Sequence, residues 1–176
     1  HTERAERAAL ATARRWETVE GASRAGLRIG GPLARRTKRG RALPPPAAAK
    51  LPVTLHTGAA AVYVPSCTNR IFGGSPVQAL VEVSARAGLP VWIPEDVGGS
   101  CCGLPWSSKG FAEAHRHKAN EMVERLWRWS GEGALPIVVD AASCTGSIAD
   151  PGEGVLSEEN AERLAGLEIL DSVAWA

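Results

Sequence analysis

The chain has 176 residues, 44% of them hydrophobic and 22% charged, and a net charge of +1 at pH 7. That is an ordinary globular composition with enough chain for one good core or one domain with an appendage. No apolar run approaches the ~20 residues a membrane-spanning helix needs, and the start, His1-Thr2-Glu3-Arg4, has neither an initiator Met nor the apolar core of a secretory signal. Such a start reads as a piece of something longer. Without an export signal the expected compartment is the reducing cytoplasm, which favours thiolate ligands over disulfides.

The small net charge hides an asymmetry. Residues 1–50 hold 12 Lys and Arg against 4 Asp and Glu, whereas residues 51–176 hold 8 against 15. Three segments are expected: a helical segment over 1–31, a basic Pro-rich linker over 32–52, and an α/β domain over 53–176.

Residues 3–28 read as one amphipathic helix, with Leu10, Ala13, Trp16, Ala22 and Leu27 as a loose apolar stripe and Gly30-Gly31-Pro32 as its stop. Such a helix is weak alone and is expected to pack on something else. Arg35, Arg36, Lys38, Arg39 and Arg41 then run into Pro44-Pro45-Pro46, an exposed, stiffened linker. An anionic-lipid contact at the inner face of a membrane is the alternative for this run. Nucleic acid is not expected, because there is no aromatic interleaving and no binding fold.

From residue 61 the pattern changes. Ala61-Val62-Tyr63-Val64 reads as a strand ending at Cys67, and Ser75-Pro76-Val77-Gln78 as the capped start of a helix that stops at Gly88. Pro90–Ile93 is a second strand. Ser107-Ser108 can cap a longer helix whose face carries Phe111, His115, Ala119, Met122, Leu126 and Trp129, closed by Gly131 and Gly133. Pro136–Val139 is a third strand, 157–165 a short helix, and Glu168–Leu170 a fourth strand. Alternating strands and helices predict an α/β fold: an open parallel sheet of about four strands with covering helices.

That topology acts on the cysteines. The chain has four: Cys67, Cys101, Cys102 and Cys144. A βαβ unit takes roughly 30 residues; 33 separate Cys67 from Cys101 and 41 separate Cys102 from Cys144. Each group therefore falls just past the C-terminal end of a successive parallel strand, the edge where open α/β sheets bind ligands. Gly98, Gly99 and Gly103 around the adjacent pair allow the irregular loop that brings both thiols to one partner. Four thiolates suit Zn²⁺ or an iron–sulfur cluster. Four small buried residues and a disulfide at the rim are the alternatives. The spacing lacks any Cys-x-x-Cys or ferredoxin-type run.

Among the other polar residues, His115 reads as a satisfied core histidine and His117 as exposed. Arg70 and Lys109 flank the cysteines, either as surface charges or as cations that offset a thiolate-bound centre. Asp140 reads as a turn residue or a group behind a ligand, and Asn69 as a loop former or a donor to a ligand sulfur.

Val64-Pro65-Ser66-Cys67, Gly98-Gly99-Ser100-Cys101-Cys102-Gly103 and Ser143-Cys144-Thr145-Gly146 resemble the cysteine-rich CCG domain of heterodisulfide reductases, glycolate oxidase iron–sulfur subunits and flavin-linked D-lactate dehydrogenases. Cys67-Thr68-Asn69-Arg70-Ile71-Phe72-Gly73 and Pro105-Trp106-Ser107-Ser108-Lys109-Gly110 look most like the last group, and residues 1–30 resemble the helical segment that follows its ferredoxin-like part. The resemblance implies an electron-transfer domain of an FAD-dependent 2-hydroxy-acid dehydrogenase. Cys67, Cys101, Cys102 and Cys144 would hold a 4Fe–4S cluster or, alternatively, zinc. FAD would sit in another domain or subunit, and a quinone or cytochrome would accept the electrons. Ser147 stands where the family pattern closes its Cys-x-x-Cys, and a metal-free or zinc-bearing docking domain is the rival function.

Overall fold

The computed structural model describes residues 2–34, 36–37, 50–72 and 76–175. Most of the basic Pro-rich run, and Ser75 of the expected helix cap, lie outside them. Four parallel strands, β1 (Ala61–Val64), β2 (Val91–Trp92), β3 (Ile137–Val139) and β4 (Ile169–Asp171), form one sheet in the order β2-β1-β3-β4. The register pairs Val62 with both Trp92 and Ile137, and Val138 with Leu170. β1 and β3 are buried along their whole length, which is why they read as unbroken apolar runs rather than alternating ones. The expected α/β fold with an open parallel sheet is the one observed.

Helices cover the sheet. α5 (Pro76–Arg86) connects β1 to β2, and α7 (Ala112–Trp129) lies in the β2–β3 crossover. The expected stripe of α7 is buried at His115, Ala119, Met122, Leu126 and Trp129. α9 (Glu158–Ala165) starts at Ser157, whose hydroxyl accepts from the Asn160 amide at 3.3 Å. The chain order places β2 on one flank of β1 and β3 on the other, so connections leave these central strands in opposite directions. A crevice opens there, at the carboxyl ends of β1 and β3.

Three elements differ from expectation. The N-terminal helix is two: α1 (Glu3–Arg14) and α2 (Trp16–Ile29), broken at Arg15 with φ −111° and ψ 26°. Thr12 donates its hydroxyl to the Ala9 carbonyl at 2.7 Å, a back-bond of the kind that bends helices. The bend lets α1 run along α7 while α2 reaches α4 (Cys67–Ile71), a one-turn helix not foreseen. Second, Ser107 ends a short helix, α6 (Leu104–Ser107), and α7 begins only after Phe111. Third, Cys144 lies inside α8 (Ala142–Ala149) rather than in a loop.

The interior divides into two clusters. One is the sheet core, built from β1, β3, Val91, Met122, Leu126 and Trp129, and it includes Cys102 with Cys144 packed against it. The other gathers Ala9, Ala13, Cys67, Cys101, Trp106 and Ala114. Trp16 closes this second cluster by standing edge-on to Trp106, centroids 5.1 Å apart and planes at 77°. No helix among the described residues is long and apolar enough to cross a membrane.

Candidate metal centre

Three chain segments deliver the cysteines to the crevice. After β1, the backbone N–H of Ser66 donates to Asp140 at 2.8 Å, and the Tyr63 hydroxyl donates to the other oxygen of the same carboxylate at 2.6 Å. Asp140, at the end of β3, therefore ties the β1 exit to the β3 exit; it is more than a turn residue. Ser66 then caps α4 by accepting from the Asn69 backbone N–H at 3.3 Å; Asn69 stands inside that helix rather than in a loop, and Cys67 opens it.

After β2, the loop carrying Cys101 and Cys102 is tied at several points. Gly99 has φ +72° and sits so close to α2 that a Cβ there would stand 2.7 Å from that of Glu17. Its N–H donates to Glu20 at 3.3 Å, and its carbonyl accepts from the buried Lys118 ammonium at 3.0 Å. Gly103 has φ +87°, and a Cβ there would meet the His115 ring at 2.7 Å. Only glycine suits both positions. After β3, Cys144 comes from α8, and one turn later the Ser147 hydroxyl donates to the Cys102 carbonyl at 3.3 Å.

All four cysteines are free thiols, so the expected alternative of a disulfide is not realised. They line one cavity together with Arg70 and Ser100, and its volume is about 10 Å³, the room of a single water. The sulfurs of Cys67 and Cys101 are 3.9 Å apart. Sharing a proton with the neighbouring Cys102 and Cys67 sulfurs, together with burial, pushes the Cys101 thiol well above the usual range. The hydrogen bonds from Cys101 and Cys144, aided by the Leu104 N–H and Ser147, hold Cys102 far below it. Cys67 is also lowered, by its contact with Cys101 first and, against the opposing effect of burial, by the Arg70 charge. Cys144 is raised, chiefly by its hydrogen bond to Cys102. Two of the four thiols thus favour the ionised form that binds metals.

Arg70 is the charged group of this site, and it is buried rather than a surface charge. Its side chain is 2% exposed. It donates to the Pro65 carbonyl at 2.5 Å, to the Ser100 carbonyl at 2.5 Å and to the Ser100 hydroxyl at 3.1 Å, so it bridges the Cys67 and Cys101 loops. Its remaining N–H groups meet the Glu20 carboxylate of α2 at 3.0 and 2.8 Å. Glu20 went unnoticed in the sequence, but Ala13, Trp16, Glu20 and Leu27 share helical spacing, and a carboxylate on an apolar stripe signals a buried partner. Lys109 lies away from the thiols, on an open groove beside Trp16, Trp106 and Phe111.

The histidines also depart from expectation. His115 is buried, yet its Nε2 has no hydrogen-bond partner, so it is a core histidine without the satisfaction expected of it. Burial lowers its pKa. His117 is half-buried, its Nε2 3.9 Å from Glu121.

The donor chemistry fits a thiolate-bound metal. Zn–S bonds of ≈ 2.3 Å put tetrahedral sulfurs about 3.8 Å apart, close to the separation of Cys67 and Cys101. Among the described residues no group of three or more His, Cys, Asp and Glu is already drawn into a coordinating arrangement.

No curated protein and no solved structure matches the chain. Residues 61–149, half of the chain, match the family described as the CCG cysteine-rich domain. The matched segment runs from the first residue of β1 to the last of α8 and contains all four cysteines. A family of this kind supports metal or iron–sulfur binding in general, and the chain belongs to the CCG cysteine-rich domain family.

Proposed function

We propose that this chain is the electron-transfer part of a flavin-linked 2-hydroxy-acid dehydrogenase of the D-lactate type, with Cys67, Cys101, Cys102 and Cys144 holding an iron–sulfur cluster. The observation that carries the reading is the convergence of four thiols from three strand ends on one cavity, beside a buried guanidinium. A cluster there would supply one-electron chemistry between a reduced flavin in another domain or subunit and a quinone or cytochrome. This chain's own residues would bind it and screen it from water, with Trp106 and Ala13 behind Cys67 and Cys101 and Met122 behind Cys102. Arg70 would offset its negative charge. Anaerobic chain should then give an electron paramagnetic resonance signal that appears or vanishes on reduction and is restored by a soluble quinone. A protein silent in both states contradicts the reading.

The second reading is a structural zinc that fixes the rim for docking. It is favoured by the 10 Å³ cavity and by the 3.9 Å sulfur separation, which suit a single ion. It predicts one tightly held zinc and no redox response.

A further inference from the structure

The geometry points to the Arg70–Glu20 pair as the device that sets the charge of the thiol site, which makes helix α2 part of the metal centre. The inference rests on the four cysteines being ligands, as in the proposal above, but not on which metal they hold.

Among the described residues Arg70 is the one charged side chain that lines the cavity. Lys118, the other buried cation nearby, is held by the Gly99 carbonyl and by Glu121 at 2.6 Å, and it does not line the cavity. Four thiolates on a divalent ion leave two negative charges, and a reduced cluster carries one more than its oxidised form. A buried cation beside them favours the loaded state and, for a cluster, the reduced state.

Glu20 opposes that effect from 50 residues away in sequence. Both of its oxygens meet Arg70, and the two side chains are 5% and 2% exposed. A buried ion pair of this kind adds little to stability over apolar residues of similar size. Holding two loops together needs only neutral donors. The pair differs from such donors in its field, which α2 adjusts through Glu20.

The test replaces each charge with an amide of similar shape. Glu20→Gln removes the opposing charge and keeps an acceptor for Arg70; Arg70→Gln removes the cation. Wild type and both variants, prepared anaerobically as the full chain, are assayed for iron, sulfide and zinc. If iron and sulfide are present, the oxidised-to-reduced ratio is read at fixed potential. Glu20→Gln should shift it about tenfold toward the reduced form and Arg70→Gln the opposite way, a tenfold shift being about 59 mV for one electron. If zinc is present, chelator competition should show Glu20→Gln holding it about tenfold more tightly and Arg70→Gln about tenfold less.

Opposite signs support the inference. Weakening in both variants, or an unmoved Glu20→Gln, overturns it, since a merely structural pair loses in either direction. Should Arg70→Gln not fold, the sign for Glu20→Gln decides alone. Zinc in wild type overturns the electron-transfer reading and leaves the charge inference to the chelator result. Absence of any metal overturns both.

Discussion

The two halves of the thiol site are rooted differently. Cys102 and Cys144 belong to the sheet core, against Met122 and Ile148, and their surroundings are set by β3, α7 and α8. Cys67 and Cys101 belong to the second cluster, closed by Ala9 and Ala13 of α1 and by Trp16 and Trp106. The site spans the seam between a core that the parallel sheet guarantees and one that exists only while the N-terminal helices stay docked. Two links cross the seam, Lys118 of α7 to the Gly99 carbonyl and the Cys101–Cys102 peptide itself, while the Arg70–Glu20 pair ties α4 to α2 within the second unit. A metal bound by all four thiols would link two units of unequal robustness, so order at the site should follow the weaker one.

The sharpest way to separate the halves is Ala13→Asp. Ala13 is 1% exposed, and an uncompensated charge there should cost on the order of 3 kcal/mol or more. In metal-free chain, mass-spectrometric alkylation should find Cys67 and Cys101 reactive first while Cys102 and Cys144 stay protected. Simultaneous opening of all four would mean one cooperative unit. Gly103→Ala probes the other side. A side chain at φ +87°, with its Cβ 2.7 Å from the His115 ring, should cost about 1–3 kcal/mol in chemical unfolding, and retained stability would contradict the packing.

Smaller still is Tyr63→Phe. It removes the 2.6 Å hydrogen bond to Asp140 and should lower the unfolding free energy by about 1 kcal/mol, with the thiol order of opening unchanged. The smallest effect is a pH slope. Burial lowers the pKa of His115 from its ordinary value of 6.5, so the unfolded chain binds that proton more readily than the folded one. Stability is therefore full above 6.5 and declines as pH falls through the unfolded value toward the folded one. His115→Gln should flatten this part of the acid limb in thermal melts of metal-free chain; parallel limbs would show that His115 is not the titrating group.

Much of this arrangement is legible in the residues. Ala61–Val64 and Ile137–Val139 are unbroken apolar runs because parallel strands are covered on both faces. Crossovers of βαβ length then carry each cysteine group to the same sheet edge. The Arg15 break, the one-turn helices at Leu104–Ser107 and Cys67–Ile71, and the helix holding Cys144 were not legible. One or two turns give no measurable period, and a back-bonding threonine looks like any other. The Arg70–Glu20 pair joins positions 50 residues apart that no local rule connects, and it left only a carboxylate on an apolar stripe as a clue.

The most direct test of a shared four-thiol centre is metal and sulfide analysis with a visible spectrum, on anaerobic wild type and on Cys101→Ser. Cys101 is the choice because its sulfur lies 3.9 Å from that of Cys67 and its backbone continues into Cys102, so it stands where the two halves meet. The predicted result is iron with sulfide and a visible absorbance that bleaches on reduction, all lost in the variant. Equal metal in both proteins, or none in wild type, would contradict a centre built on these four cysteines.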